Sequence, residues 1–405
     1  MHRAVAYVTC NLAFLFIALE AAPSAGAALE QSAQQSVFDS LAPTEQGLLR
    51  ILDAVSAGDR KQAIELSNTL ASTVSGFALL DALREDLRAA HDASTMALLQ
   101  ARWLASAAPS HRSSSTDDTS LLAHEAVQRW RHRDYPVPSS VPFVLALDRS
   151  IRHLIVVETS SSRLFLFRNE PEGLRLERDL YASLGRRGPG KNMEGDERTP
   201  LGIYFTLSRM DEEGLAERYG AHAFPLDYPN AWDRRAQRTG RGIWIHGVPA
   251  QTYSRPPLDS DGCVALTNPD IQWMAKRLAP RRTPVVIVER VPWSVAGPPV
   301  PDAATLGERI EQWLRVWALG GDDAALAAFY ESPALALGRA RPIVEEAADA
   351  PEMRRLALIQ DPSTPDLVVA SYGDTSGGWY RQYWRQDGAG QWRIAAERLR
   401  PPRRE

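Results

Sequence analysis

The spacing of apolar residues changes once along this chain, and that change constrains its fold most. Between about residues 36 and 108, apolar side chains recur three and four positions apart, which predicts amphipathic helices. From about residue 140 the apolar residues come in short runs instead, such as LIVV at 154–157 and LFLF at 164–167, which predicts strands. A chain of 405 residues with such a change is long enough for two or three domains.

Two segments of biased composition divide the chain further. Residues 110–120 are polar and rich in serine, and residues 292–301 are rich in proline, which indicates one flexible and one stiff linker. Beyond the second linker an amphipathic helix precedes several strands, which predicts a small α+β cone. The predicted segments are a signal peptide (1–27), a helical region with the Ser-rich linker (28–125), a central strand-rich domain (140–291), the Pro-rich linker (292–302) and a C-terminal domain (303–405).

The N-terminus has the features of an export signal. A basic start is followed by a largely apolar run to Leu19, and the sequence AGA at 25–27 has the small-x-small pattern of a cleavage site. We therefore predict an exported protein of the periplasm or cell envelope. An uncleaved anchor is the alternative, but the run is short for a bilayer span and Glu20 interrupts it. The formal net charge of −4 gives no reason to expect nucleic acid as a partner.

Cys263 is the most informative single residue. The other cysteine, Cys10, lies in the predicted signal peptide, so the mature chain would carry one thiol and no internal disulfide. Upstream, His246 ends a predicted strand. A lone cysteine with a histidine elsewhere is the pattern of a thiol nucleophile and its base. A small buried residue and a structural histidine are the alternative interpretation.

The residues around Cys263 suit the catalytic interpretation. Ser260 can hold the loop by a local hydrogen bond, and Gly262 lets the backbone approach a substrate closely. The amide of Cys263 can donate to an oxyanion, and we expect a thiol pKa below the free value of about 8.5. A helix capped by Asn268 is predicted to follow. No pair of Cys or His has metal-ligand spacing and no Gly-rich phosphate loop follows a strand, so we expect no cofactor.

Three motifs resemble the L,D-transpeptidase (YkuD-type) family. Residues 245–247 (IHG) and 260–264 (SDGCV) are similar to its signature, an aliphatic residue, His and Gly, then Ser-x-Gly-Cys-aliphatic. Residues 195–204 (GDERTPLGIY) resemble its G-x-x-x-T-P-x-G-x-[YF] stretch. The resemblance covers about residues 140–291. It implies a mainly-β YkuD-like catalytic domain that acts on peptidoglycan stem peptides.

The resemblance also implies roles for individual residues. Cys263 would attack the carbonyl of the L,D bond between the third stem residue and the terminal D-alanine. His246 would take the thiol proton, and the backbone carbonyl of Gly247 would orient the imidazole. The resulting acyl-enzyme would then pass to an amine or to water.

One position departs from the family pattern. Most members have Arg two residues after the cysteine, and here it is Ala265. Residues 263–268 (CVALTN) resemble instead the YafK-type subgroup, which includes hydrolases. Because the core motif is nevertheless complete, an L,D-transpeptidase is the first hypothesis. An L,D-carboxypeptidase or amidase with a cell-shape or lipoprotein-release role is the second, and a non-catalytic wall-binding module is the third.

In the C-terminal domain, the helix with Trp313 and Trp317 and the following residues 326–330 (LAAFY) are similar to those of a nuclear-transport-factor-2-like cone. Such cones often hold a pocket or a dimer interface, and a homodimer through the C-terminal or the N-terminal domain is one option. Four aromatic residues of this domain either form a glycan-stacking face or belong to its core: Trp379, Tyr380, Tyr383 and Trp384. We expect the cone to place the enzyme on the wall, so that small soluble substrates are cleaved without it.

A Gly-rich loop ahead of the central strands is basic. Its cations, Arg186, Arg187 and Lys191, can meet the carboxylates of a stem peptide. A solvated loop without a ligand is the alternative.

Overall fold

The computed structural model describes residues 40–105, 118–133, 135, 141–279, 283–293, 303–318, 323–335 and 352–400. The predicted signal peptide and most of both predicted linkers lie outside these residues. Among the described residues, none of the helices combines the length and the apolar character that a bilayer span requires.

The N-terminal region is helical, as the spacing of apolar residues predicted for about residues 36–108; its last helix, at 118–132, was not predicted. Its helices are α1 (Pro43–Ser56), α2 (Arg60–Ala71), α3 (Ala78–Ala89), α4 (Ala93–Ala105) and α5 (Asp118–His132). Their apolar faces meet in one core, in which Leu52, Leu83 and Trp103 are fully buried. Asp59 begins α2, because its side chain accepts a hydrogen bond from the Gln62 amide.

The rest of the described chain consists mostly of strands. They are β1 (Val144–Leu147), β2 (His153–Glu158), β3 (Arg163–Glu170), β4 (Gly173–Tyr181), β5 (Leu184–Gly185), β6 (Gly202–Phe205), β7 (Met210–Asp211), β8 (His222–Pro225), β9 (Trp244–His246), β10 (Leu258–Ser260), β11 (Val264–Ala265), β12 (Pro284–Val288), β13 (Met353–Asp361), β14 (Thr364–Asp374), β15 (Trp379–Gln386) and β16 (Trp392–Arg400). The remaining helices are α6 (Ala231–Arg235), α7 (Asn268–Ala275), α8 (Ala303–Ala318) and α9 (Asp323–Ala327).

The central region contains two main sheets. One has the strand order β4-β3-β2-β12-β6 and the other has the order β11-β9-β8-β7, while β5 and β10 form a short parallel pair. The predicted hairpin is β2 and β3, antiparallel with Ile155 opposite Leu166. One face of the first sheet and helix α7 share a core with the second sheet, which buries Ile155, Tyr204, Ile245 and Ile271. This core supports β9 and β11, the strands that carry the candidate site.

The C-terminal region has a sheet with helices on one side. Strands β13 to β16 are antiparallel neighbours, and β1 completes this sheet at its β13 edge. Strand β1 lies within the range 140–291 predicted for the central domain, yet it pairs with the C-terminal sheet. Trp313 and Trp317 of α8 pack on Tyr380. The opposite face of the sheet packs on the central region, where Phe165 and Tyr383 belong to one buried cluster.

Three of the four C-terminal aromatic residues therefore belong to the core. Tyr380, Tyr383 and Trp384 are almost completely buried. Trp379 is half-buried and is the one of the four that solvent reaches to an appreciable extent. A glycan-stacking face made of all four residues is excluded, because buried rings have no face free for a ligand.

Candidate active site

The pairing of two short strands brings Cys263 and His246 together. Strands β9 and β11 are parallel neighbours, with Val264 opposite Ile245 and Ala265 opposite His246. Cys263 immediately precedes β11, and His246 ends β9. His246 is 3 % exposed and Cys263 is 9 % exposed. Both side chains are thus nearly closed off from solvent.

The imidazole of His246 is oriented by the next residue in the chain. Its Nδ1 lies 2.6 Å from the carbonyl oxygen of Gly247, and a carbonyl only accepts, so the proton sits on Nδ1 and Nε2 keeps its lone pair. The Tyr219 ring packs edge-on against the imidazole, with centroids 5.0 Å apart. Burial lowers the pKa of His246 to about 4, although the Gly247 carbonyl opposes that shift. The ring is therefore neutral at pH 7.

The thiol of Cys263 is also neutral at rest. Its Sγ donates to the carbonyl oxygen of Gly242 at 3.3 Å. Burial raises the pKa of Cys263 to about 11, although a hydrogen bond from the Trp244 backbone opposes this. The expectation of a thiol pKa below the free value is wrong, because desolvation outweighs the nearby hydrogen bond and charges. Within the described residues no hydrogen bond joins the thiol to His246.

Ser260 and Gly262 shape the turn before the cysteine. Ser260 Oγ donates to the carbonyl of Cys263 at 2.7 Å and accepts from the Gly262 amide at 3.1 Å. Gly262 has φ +120°, and a Cβ there would lie 2.6 Å from the carbonyl oxygen of Arg198. Glycine is therefore required by a close backbone contact within the protein and by its left-handed conformation.

Asn268 has a different role from the predicted one. Thr267 caps α7, because its side chain accepts from the Asp270 amide at 3.2 Å. Asn268 Oδ1 instead accepts from the amides of Val248 and Ala221, each at 3.2 Å, and Nδ2 donates to the Val248 carbonyl at 2.7 Å. The side chain thereby holds the segment that directly follows His246. Its sequence signal, Asn at a helix start, indicated only a cap.

The basic loop predicted to meet substrate carboxylates is ion-paired. Arg186 contacts Glu197 at 2.9 Å and Asp261 at 3.0 Å, and Arg187 also reaches Glu197. Lys191 is only 4 % exposed, and its Nζ lies 2.7 Å from Asp196. Lys191 therefore forms a buried structural ion pair and is not available to a ligand. The loop is neither a free cationic surface nor simply solvated.

Arg255 is a cation beside the site that sequence reasoning missed. It is half-buried, and its Nη1 donates to the Asp259 carbonyl at 3.3 Å. Its positive charge contributes to lowering the pKa of both His246 and Cys263, which places it near the two side chains. No motif marks Arg255. Its position depends on the tertiary fold of the loop at 247–257.

The arrangement has the parts of a thiol acyl-transfer site. A neutral imidazole with a free Nε2 can accept the thiol proton as sulfur attacks a carbonyl. Among the described residues, no group of three or more His, Cys, Asp or Glu side chains is arranged to hold a metal ion.

Comparison with known proteins gives the central domain a family. Residues 152–287 match the family model of the L,D-transpeptidase catalytic domain (YkuD). No curated protein sequence matches the chain.

Several solved structures are similar to parts of the chain. Bd1075 of Bdellovibrio bacteriovorus is 21 % identical, with 66 % of this chain and 99 % of that chain covered and a TM-score of 0.46. The helical cell shape determining protein Pgp2 of Campylobacter jejuni is 18 % identical, with 64 % and 96 % covered and a TM-score of 0.48. An L,D-transpeptidase of Mycobacterium smegmatis is 17 % identical, with 34 % and 58 % covered and a TM-score of 0.22. The family match shows that residues 152–287, which include Cys263 and His246, are an L,D-transpeptidase (YkuD) catalytic domain.

Proposed function

We propose that this protein is an exported cysteine enzyme that acts on the L,D bond of peptidoglycan stem peptides. The observation that carries the proposal is the L,D-transpeptidase domain at residues 152–287, in which His246 ends β9 and Cys263 directly precedes the parallel neighbour β11. The Gly247 carbonyl, which leaves Nε2 of His246 free to accept a proton, supports a base beside the thiol. A wall-binding module without turnover would not require this arrangement.

In the proposed reaction the Cys263 S–H turns from the Gly242 carbonyl toward Nε2 of His246. Sulfur then attacks the carbonyl carbon of the L,D bond while His246 takes the thiol proton. The amide of Cys263 donates to the oxyanion. Collapse of the tetrahedral intermediate breaks the C–N bond, and the imidazolium gives its proton to the leaving D-alanine amine. Finally, an amine attacks the thioester and gives a cross-linked product, or water hydrolyses it and gives a shortened stem peptide.

Two residues bear on the choice of acceptor. Ala265 is buried, and both its amide and its carbonyl bond to Ser183, so this position supplies no guanidinium to the site. Half-buried Arg255 is the nearby cation that can hold a stem carboxylate. L,D-transpeptidation is the family-level reaction. We infer that hydrolysis, as in an L,D-carboxypeptidase, forms a substantial share of the product, because a site without the usual Arg admits water more readily.

The test is product analysis with defined substrates. The purified protein is incubated with disaccharide-tetrapeptide muropeptides, and the products are weighed by mass spectrometry. We expect tripeptide together with some cross-linked dimer, and we expect the variant Cys263→Ala to form neither. Labelling of the wild type by a carbapenem should add one β-lactam mass at Cys263. Turnover by the alanine variant within about tenfold of wild type would refute the mechanism, given what a nucleophile contributes.

The proposal also includes the cellular location of the protein. We infer export to the cell envelope from the N-terminal signal pattern and from the location of the substrate. Cell fractionation of a tagged full-length chain tests this, and a cytoplasmic location would contradict it. The nuclear-transport-factor-2-like character of the C-terminal domain and a homodimer stay predictions from the resemblance.

A further inference from the structure

One loop connects the two residues of the candidate site. It spans residues 247–257, starting directly after His246 at the end of β9 and ending where β10 begins. Strand β10 then leads through a tight turn to Cys263. A displacement of this 247–257 loop would therefore move the imidazole and the thiol relative to each other, and would also move Arg255, which the loop carries.

The N-terminal helical region holds the middle of this loop. In the turn between α2 and α3, the Gly76 carbonyl accepts a hydrogen bond from the Tyr253 amide at 2.8 Å. The Tyr253 ring packs on the Phe77 ring with centroids 4.7 Å apart, and so it joins the edge of the helical core. The next residue, Ser254, donates its Oγ hydrogen to Oε1 of Glu125 in α5 at 2.7 Å. Two successive loop residues are thus bound to two separate parts of the helical region.

Both partners of the loop are themselves fixed. Glu125 is 1 % exposed, and the oxygen that accepts from Ser254 also accepts from Arg129 at 2.8 Å. Gly76 has φ +68°, and a Cβ there would lie 2.2 Å from the carbonyl oxygen of Gln251. Any side chain at this position would push the loop away, so glycine permits the close approach of the two backbones.

Arg255 is the cation that the fixed part of the loop presents. It is half-buried, its carbonyl accepts from the Tyr181 hydroxyl at 2.9 Å, and its Nη1 donates to the Asp259 carbonyl at 3.3 Å. Its positive charge opposes the burial that raises the pKa of the Cys263 thiol, in agreement with a position near the sulfur. A guanidinium has five N–H donors and binds carboxylates in a two-pronged geometry.

We propose that the N-terminal helical region is a positioning element of the active site, which holds the 247–257 loop so that Arg255 binds the free carboxylate at the end of a stem peptide. This inference rests on the proposed function, in which that carboxylate belongs to the leaving D-alanine. Arg255 is then the residue that determines specificity, and Gly76 and Glu125 are positioning residues. The family match covers residues 152–287 and gives the helices no role.

The test compares two substrates of the full chain. One is a disaccharide-tetrapeptide muropeptide with a free terminal carboxylate, and in the other only this D-alanine carboxyl group is amidated. The readout is the selectivity, the ratio of the two kcat/KM values, which a smaller folded fraction leaves unchanged. The wild type should prefer the free carboxylate at least about tenfold, and Arg255→Gln should lose this preference.

Two glycines of the helical region provide a matched pair of variants. Gly76→Ala should lower kcat/KM for the free-carboxylate substrate about tenfold to hundredfold and reduce the selectivity, because its Cβ displaces the loop. Gly58→Ala is the control: Gly58 has a similar φ of +74°, but the nearest atom to its Cβ beyond its chain neighbours is 3.9 Å away, on Gln100. Both variants impose the same left-handed strain, so Gly58→Ala should keep the wild-type selectivity.

A milder pair of variants carries the test where Gly76→Ala does not fold. Ser254→Ala removes the hydrogen bond to Glu125 and should reduce the selectivity about threefold or more, whereas Ser254→Thr keeps a hydroxyl and should retain it. Ser67→Ala is the control, because it removes one hydrogen bond within α2, to the Ile64 carbonyl, and should leave the selectivity unchanged.

The outcomes separate the inference from the proposed function. Equal selectivity in Gly76→Ala and Gly58→Ala, or in Ser254→Ala and Ser67→Ala where the first pair does not fold, would overturn the positioning role of the helices. A wild type that cleaves both substrates alike, or unchanged selectivity in Arg255→Gln, would remove Arg255 as the carboxylate ligand. A wild type that releases D-alanine from neither substrate would overturn the proposed function together with the inference.

Discussion

At the scale of single residues, burial decides the charge state of the candidate site. The same lack of water lowers the pKa of His246 to about 4 and raises the pKa of Cys263 to about 11, because each charged form loses its hydration. The two neutral groups differ from a preformed thiolate–imidazolium pair. In the proposed reaction, proton transfer would accompany attack. The resting neutral thiol would react slowly with reagents that need a thiolate.

The protonation state of Cys263 can be measured by alkylation. We expect the iodoacetamide reaction rate of Cys263 in the folded protein to rise continuously from pH 7 to pH 10, because thiolate accumulates only toward a pKa of about 11. Cys263→Ala controls for reaction at other sites. A rate that is already constant near neutral pH would indicate an ion pair with His246 and contradict the prediction.

His246 also makes stability depend on pH. Its pKa falls from the ordinary 6.5 to about 4 in the folded state, so the unfolded chain takes up a proton first as the pH drops. Its contribution to stability is therefore present above pH 6.5 and is lost as the pH falls from 6.5 to about 4. In urea denaturation, His246→Gln should flatten this part of the pH profile relative to wild type. An unchanged slope would show that other groups cause it.

At the scale of elements, the segment after β9 depends on distant parts of the chain. Asn268 at the start of α7 holds Val248, and Ser254 Oγ donates to Glu125 of α5 at 2.7 Å. The Tyr181 hydroxyl of β4 donates to the Arg255 carbonyl at 2.9 Å. The loop that carries Arg255 is thus positioned by a helix of the N-terminal region and by a strand of the central sheet.

The role of Asn268 can be compared with that of Thr267, which caps the same helix. Asn268→Ala removes two hydrogen bonds to Val248, in the segment after His246, and one to the Ala221 amide. We therefore expect a stability loss of about 1–3 kcal/mol and a fall in kcat of at least about tenfold with little change in KM. Thr267→Ala is the matched control, since it weakens the cap of the same helix by about 1 kcal/mol and leaves Val248 in place. Equal kcat values in the two variants would mean that Asn268 stabilises the helix start and does not position His246.

The N-terminal helices and the central sheet meet in a buried ionic network. Arg129 of α5 pairs with Glu45 and Glu125, and Arg163 of β3 pairs with Glu45 and with Asp179. His132 Nε2 lies 2.5 Å from Asp179 and extends the network. Breaking such a network leaves buried charges without compensation, which costs more than removing a surface pair.

Arg129→Met should therefore lower the free energy of unfolding by about 3–5 kcal/mol. The control is Arg102→Met, because Arg102 is 49 % exposed and its pair with Asp86 should contribute less than about 1 kcal/mol. Both values come from chemical denaturation followed by circular dichroism. Similar losses in the two variants would show that the buried network contributes no more than a surface ion pair.

At the scale of the whole molecule, the C-terminal region is part of the support of the catalytic domain. Its sheet covers one face of the central sheet, where Phe167, Ile203 and Val286 are buried together with Val369. Strand β1 has its ladder partner in β13. Removing residues 303–405 would expose this apolar face to water and leave β1 unpaired. The structure therefore argues against our expectation that small substrates are cleaved without this domain.

We now expect a chain that ends at residue 302 to be poorly soluble or to melt well below the full protein, with little cleavage of soluble muropeptides. Differential scanning fluorimetry and the product assay measure both effects. A truncated protein that is monomeric, melts like the full chain and cleaves tetrapeptide at the full rate would restore the original expectation. It would also show that the contact with the C-terminal sheet contributes little to stability.

Much of the local structure, and the family of the central domain, could be predicted from the sequence. The helices of the N-terminal region and the β2–β3 hairpin follow from apolar spacing, which each segment carries by itself. The motifs around His246 and Cys263 identify an L,D-transpeptidase domain, which the family match confirms. Such features depend on residues that are neighbours in the chain, so no knowledge of the tertiary structure is needed to see them.

Only the tertiary structure decided the features that depend on distant contacts. Apolar spacing does not say which strand β1 pairs with, and Asn at a helix start does not show that its amide reaches Val248. The pKa directions of His246 and Cys263 depend on how completely other segments exclude water from the two side chains. The contact of Arg381 with Phe205 joins two regions that are far apart in the chain. Strand pairing, desolvation and such contacts are properties of packed neighbours, and the chain defines those neighbours only once it is folded.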